Sequence, residues 1–148
     1  TPLHNAVLDV PDDYSAQLKI INLLLEAGAP IESYDSLGYQ PIHYAAESYG
    51  GWRSLELLLN NNARVNARTR GKLFPGSTPL HLALGCNEEE AVRVLLDKGA
   101  SLSIKNFSGQ DSRQYAKKID SLDLLQERIM VEDWIETGEV TLINGADQ

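Results

Sequence analysis

The sequence predicts an all-α solenoid of stacked helix-turn-helix units, and three observations carry that prediction. One opening recurs: Thr1-Pro2-Leu3-His4-Asn5-Ala6, Gln40-Pro41-Ile42-His43-Tyr44-Ala45 and Thr78-Pro79-Leu80-His81-Leu82-Ala83. Each is answered by a Leu-Leu pair and a helix-ending position: Leu24-Leu25 with Gly28-Ala29, Leu58-Leu59 with Asn62-Ala63, Leu95-Leu96 with Gly99-Ala100. Between them run apolar stripes at helical spacing that no single helix pair can bury, so each unit needs a neighbour.

The unit from Thr78 to Ala100 reads most plainly. Thr78 is a good N-cap, and Pro79 sits at the first helical position, where a missing N–H costs nothing. Leu80, Ala83 and Leu84 share one face, and a second amphipathic run follows with Ala91, Val92, Val94, Leu95 and Leu96. Gly99 ends it in the left-handed conformation, a slot that Asn62 also suits. Glu88-Glu89-Glu90 opens the second helix, where carboxylates favour the helix dipole.

In chain order the units are expected at about 1–39, 40–77 and 78–110, with a degenerate capping unit at 111–129 and a C-terminal segment at 130–148. These openings resemble the ankyrin repeat, whose signature is T-P-L-H-x-A at a period of about 33. The resemblance covers roughly Thr1 to Ile129, and it implies short inter-repeat hairpin turns. Against that period the chain carries two insertions. One of six residues lies around Asp9–Tyr14 in the first unit, and one of four around Arg68–Ser77 lengthens the connection between units two and three. Insertions in a solenoid go to loops, often on the binding side.

In the last unit Asp111-Ser112-Arg113-Gln114-Tyr115-Ala116 replaces the signature. Asp111 still caps a helix, while a polar Arg113 in an apolar slot suits a terminal unit. Leu122, Leu124 and Leu125 follow closely, and Arg128 stands where glycine would end the helix, so the helix is expected to run on. Trp134 is expected to cap the end of the stack, and Glu139–Gly145 alternates like a short strand.

At 148 residues the chain reads as one domain that buries about 70% of its unfolded surface. No apolar stretch nears the roughly 20 residues of a membrane helix, so membrane insertion is not expected. The net charge of −8 argues against nucleic acid as a partner. A single cysteine, Cys86, suits a reducing intracellular compartment, with the thiol structural. The chain opens inside a repeat motif, which suggests a fragment boundary. Nothing points to an oligomeric state.

No cofactor, metal or catalytic residue set is expected. His4, His43 and His81 hold one repeat position, where an imidazole can bond the Thr side chain and adjacent backbone. Adjacent repeats would hold them about 10 Å apart, too far to share a metal. The resemblance implies a protein partner, bound through hairpin tips and the concave first helices. Carried onto this chain, that surface holds Leu37 and Tyr39 in one turn, Phe107 in its counterpart, and Glu47 and Ser48 at the end of a first helix, with Gly85 and Cys86 beside them. Leu37, Tyr39 and Phe107 are expected to be exposed. It also places Asn66 at a hairpin position where ankyrin-like proteins can be hydroxylated.

The long finger Arg64–Gly76 adds Arg64, Arg68, Arg70 and Lys72, with the apolar pair Leu73-Phe74. With Tyr39 it is read as the centre of a site for an acidic, partly apolar protein segment. On the other reading, Phe74 folds back onto the hairpin base and the charges only solubilise the loop. Tyr49 and Trp52 are expected on the opposite edge, packed against the first insertion and its Tyr14. The function class is therefore a non-catalytic protein-interaction module, or else a regulatory or targeting module of a larger enzyme, channel or secreted effector.

Overall fold

A computed structural model describes residues 1–9, 13–118 and Leu125. Among these are seven helices and no strand: α1 Pro2–Leu8, α2 Tyr14–Glu26, α3 Pro41–Glu47, α4 Trp52–Asn60, α5 Pro79–Gly85, α6 Glu89–Asp97 and α7 Ser112–Lys118. The all-α solenoid expected from the sequence is the fold observed. Helices α1, α3, α5 and α7 pack side by side in one layer, and α2, α4 and α6 in a second. Between the layers lie Leu3, Val7, Ile21, Ile42, Leu55, Leu58, Leu80, Leu84 and Leu95, all essentially sealed from solvent.

The recurring opening works as a cap built from an imidazole. Thr1 and Thr78 accept the backbone N–H of His4 and His81 through their hydroxyl oxygens. The same hydroxyls lie 2.7 and 2.9 Å from the histidine Nδ1 atoms. Each Nε2 faces a carbonyl of the next connection: Tyr39 at 3.0 Å, Ala67 at 3.1 Å, Gln110 at 3.0 Å. A carbonyl can only accept, so each Nε2 carries the proton of that bond. In the second unit the Gln40 N–H donates to His43 Nδ1 at 2.9 Å, while the Gln40 side chain reaches back to the Glu32 carbonyl. Burial drives the His43 pKa down from 6.5 to about 4, and burial lowers that of His81 as well.

The Leu-Leu pairs close the second helices. Ala29, Ala63 and Ala100 donate to the carbonyls of Leu24, Leu58 and Leu95, and Gly28, Asn62 and Gly99 donate to those of Leu25, Leu59 and Leu96. This double bond pattern requires a left-handed residue, and φ is +81° at Gly28, +68° at Asn62 and +86° at Gly99.

The first insertion differs from a simple loop. Helix α2 has 13 residues where α4 and α6 have 9, so one extra helical turn absorbs most of the added chain. Asp13 caps it by accepting from Ser15 N–H. Buried Gln17 then turns its amide to the carbonyls of Ala6, Val7 and Asp9, which α1 leaves open at its end. In α7, Asp111 and Gln114 exchange reciprocal hydrogen bonds, so Gln114 does half of the missing histidine's work. The expected helix continuation around Leu122, Leu124 and Arg128, the Trp134 cap and the 139–145 strand lie outside the described residues.

Candidate interaction surface

Three inter-unit turns form a row of fingers along one edge of the stack. In the first, Asp35 Oδ1 accepts the N–H groups of Leu37 and Tyr39, and the Asp35 N–H donates to the Tyr39 carbonyl. Asn106 organises the third in the same way toward Ser108 and Gln110. In the middle finger Thr69 takes this part. Its N–H donates to the Ser77 carbonyl, and its hydroxyl accepts from Ser77 N–H and donates to the Phe74 carbonyl at 2.6 Å. Thr69 to Ser77 is four residues longer than Asp35 to Tyr39, which is the second insertion.

The fingers are tied to each other through backbone. Arg70 N–H donates to the Gly38 carbonyl at 2.8 Å, and Phe107 N–H donates to the Pro75 carbonyl at 3.0 Å. A Cβ on Gly38 would lie 2.1 Å from Gly71 N, so neither chain can carry a side chain at that crossing. Phe107 lies against Gly76 in the same manner.

The cations are held over rings. The Arg70 guanidinium stands 4.0 Å above the Tyr34 ring, and Tyr34 in turn donates its hydroxyl to the Arg68 carbonyl. Arg68 lies over Phe107 at 5.7 Å and donates to the Lys105 carbonyl. Arg64 pairs with Glu32 at 3.1 Å. Beside them Leu37, Leu73, Phe74 and Phe107 are all more than half exposed, and Lys72 is exposed. Phe74 is 51% exposed, and its carbonyl anchors the finger base. It does so at φ +45°, where a bulky side chain is strained.

Tyr39 is a correction to the expected surface. It is 3% exposed, stacked on Tyr44 at 5.1 Å and edge-on to His43 at 5.7 Å. Directly before the helix cap, its ring turns inward between units, and burial pushes its phenol up to about 12. Tyr44 donates to Asp35 Oδ2 at 2.5 Å. Burial pushes the Asp35 carboxyl up, but this bond and two backbone N–H groups outweigh it and hold the carboxyl below the ordinary range.

Glu47 and Ser48 lie at the far end of α3 from the fingers, roughly 10 Å along a seven-residue helix. Both are half-buried, and burial raises the Glu47 carboxyl. Cys86 is exposed, its thiol raised by partial burial and by Glu47 and Glu88. The finger residues and the Glu47 end are thus two patches. Asn66 is half-buried and accepts the Ser101 N–H through Oδ1.

On the opposite edge the expectation that Tyr49 packs on the first insertion fails, because it is 84% exposed. Tyr14 packs instead on Gly50, where a Cβ would meet its hydroxyl at 2.5 Å. Arg53 lies 4.3 Å over Trp52 and 4.8 Å over Tyr14. An open groove of about 360 Å³ runs from there between α2 and α4. Sequence reasoning passed over Arg53 and Tyr34, since the Arg53–Tyr14 and Arg70–Tyr34 contacts join segments distant in the chain. Among the described residues no three His, Cys, Asp or Glu gather as a metal site, and no helix is long and apolar enough to cross a membrane.

A family model of ankyrin repeats in three copies matches residues 3–106. The mouse B-cell lymphoma 3 protein homolog is 31% identical over 127 residues, 85% of this chain and 27% of that protein. Human SH3 and multiple ankyrin repeat domains protein 2 is 32% identical over 78% of the chain, which is 6% of its own length. The Drosophila melanogaster NF-kappa-B inhibitor cactus is 39% identical over 62% of the chain and 18% of its own length. The chain therefore spans about a quarter or less of these relatives.

Proposed function

The chain belongs to the ankyrin-repeat family, and on that premise we propose that it is a non-catalytic module that grips an acidic, partly apolar segment of another protein on its fingertips. Ankyrin repeats are protein-interaction modules, and one relative is named as an inhibitor of another protein. The observation that carries the finer reading is the fingertip row. Leu37, Leu73, Phe74 and Phe107 offer apolar contact, and Arg68 and Arg70 are pre-ordered on aromatic rings beside them. Arginine and aromatic residues are the types that dominate interface energetics, and ordering them beforehand lowers the entropy lost on binding. Glu47 and Ser48 form a second contact region for the same partner.

The test is capture from lysate by the wild-type chain and by the triple variant R68A/R70A/F74A. Removing two arginine anchors and one aromatic is expected to weaken capture at least about 30-fold. The melting curve should move little, since exposed ring and charge contacts contribute under about 1 kcal/mol each. Unchanged capture would overturn the reading. A second reading is a regulatory or targeting module within a larger protein, favoured by the small share of each relative that the chain spans. One further relative is named as a putative palmitoyltransferase.

A further inference from the structure

The groove of about 360 Å³ between α2 and α4 lies inside the stack, between two consecutive second helices, and none of the finger residues lines it. Leu18, Trp52 and Leu57 give it an apolar lining, joined by the Asn22 and Asn60 amides and by Glu56. The first insertion closes one end. Counted back from Leu24-Leu25 and Leu58-Leu59, Leu18 is level with Trp52, so Tyr14 stands one turn beyond the start of α4. There its ring lies 4.8 Å from the Arg53 guanidinium carbon, and the Trp52 ring lies 4.3 Å from the same atom.

Arg53 is the groove's unanswered charge. It is half-buried, and it makes neither a hydrogen bond nor an ion pair among the described residues. The two rings hold the guanidinium in place and displace part of its water, while its five N–H donors keep no oxygen partner. A cation in that state favours a carboxylate, which accepts two of those donors side by side.

We propose that this groove binds an extended segment of another protein in which an acidic and an aliphatic residue stand two positions apart. Charge complementarity selects the acid, and geometry sets the spacing. Leu57 lies four residues beyond Arg53, about 6 Å along α4. Residues two apart in an extended chain point the same way and are about 6.6 Å apart. An acidic side chain on Arg53 therefore brings the aliphatic one onto Leu57, while the residue between them faces solvent. Asn60 Oδ1 is taken by Lys98 Nζ at 2.7 Å, which leaves the Asn60 N–H groups for a backbone carbonyl of the segment. Glu56 is exposed one turn from Arg53 and repels a second acid, so the segment carries one acidic residue.

NMR titration of the full 148-residue chain with the capped peptide acetyl-Gly-Glu-Ser-Leu-Gly-amide tests this. The Trp52 Nε1–H and Arg53 Nε–H signals should shift with a dissociation constant of about 1 mM. Glutamine in place of the peptide's glutamate, or deletion of its serine spacer, should each weaken binding about tenfold. Arg53→Met keeps an unbranched stem between the rings and removes the charge. It should weaken binding about tenfold with circular dichroism unchanged, and the two peptide variants probe the same contact in unaltered protein. The triple finger variant R68A/R70A/F74A should bind this peptide as the wild type does, which separates the groove from the fingertip reading. Unmoved Trp52 and Arg53 signals at about 5 mM peptide overturn the proposal, as does binding indifferent to Arg53→Met, to the glutamine or to the spacer. Loss of binding in the finger variant would assign the peptide to the fingers instead. Isocaproate binding as tightly as the peptide would make a small carboxylate the occupant. Shifts that appear on concentrating the chain alone and vanish in Arg53→Met would make it a second copy. Each of these three results would also overturn the proposal.

Discussion

Phe74 is the one bulky residue among the described positions with a positive φ, the others being Asn62 and Asn87. Asparagine accepts that backbone because its short side chain bonds locally, whereas phenylalanine there is strained. Phe74→Asn should therefore raise stability by about 0.5–1 kcal/mol in urea titration while reducing partner capture. A loss of stability would mean that the ring supports the finger. His43 sets a pH limit by itself. Its folded pKa is about 4 against an ordinary 6.5, so between those values the unfolded chain takes up a proton that the native chain refuses. Stability contributed by the neutral ring is complete above about pH 6.5 and falls as pH drops toward 4, by up to about 3 kcal/mol. His43→Gln should be less stable at neutral pH and should show a shallower acid slope. At this scale the caps were legible, because Thr1, Thr78, Gly28, Asn62 and Gly99 act on backbone a few residues away. Tyr39 was not. Whether a side chain beside a cap turns outward or between units depends on Tyr44 and His43, which become its neighbours only once the units stack.

The middle finger depends on Thr69 more than on any of its charges. Its hydroxyl both donates to the Phe74 carbonyl and accepts from Ser77 N–H, at 0% residue exposure. Thr69→Val keeps the shape and removes both bonds, leaving the Ser77 N–H and the Phe74 carbonyl bonded only to each other. A cost of about 1–3 kcal/mol is expected, with hydrogen exchange quickening first at Gly76 and Ser77. Uniform quickening across α5 would contradict a local role. The finger's extra length could be read from spacing alone. Its ties to the neighbouring turns, Arg70 to Gly38 and Phe107 to Pro75, could not, since sequence spacing does not set which backbones cross. The first insertion illustrates the converse. A count of six added residues cannot distinguish a loop from a longer helix, and the Asp13 cap together with Gln17's bonds to the end of α1 favours the helix.

Across the whole molecule, a two-layer stack sealed by aliphatic residues separates support from contact. The imidazoles are each engaged with a neighbouring carbonyl and are not available to a substrate. A net charge of −8 with cations concentrated on one finger edge gives the molecule a direction. The repeat pattern made the architecture readable because every unit restates it, whereas the site arises from the departures between units, which one sequence states only once. The most direct test of the account is hydrogen exchange on the wild-type chain with its captured partner bound. Protection is expected over residues 34–39, 68–76 and 106–110, and at the α3 end around Glu47. Protection confined to α2, α4 and α6, with the fingers unchanged, would contradict it.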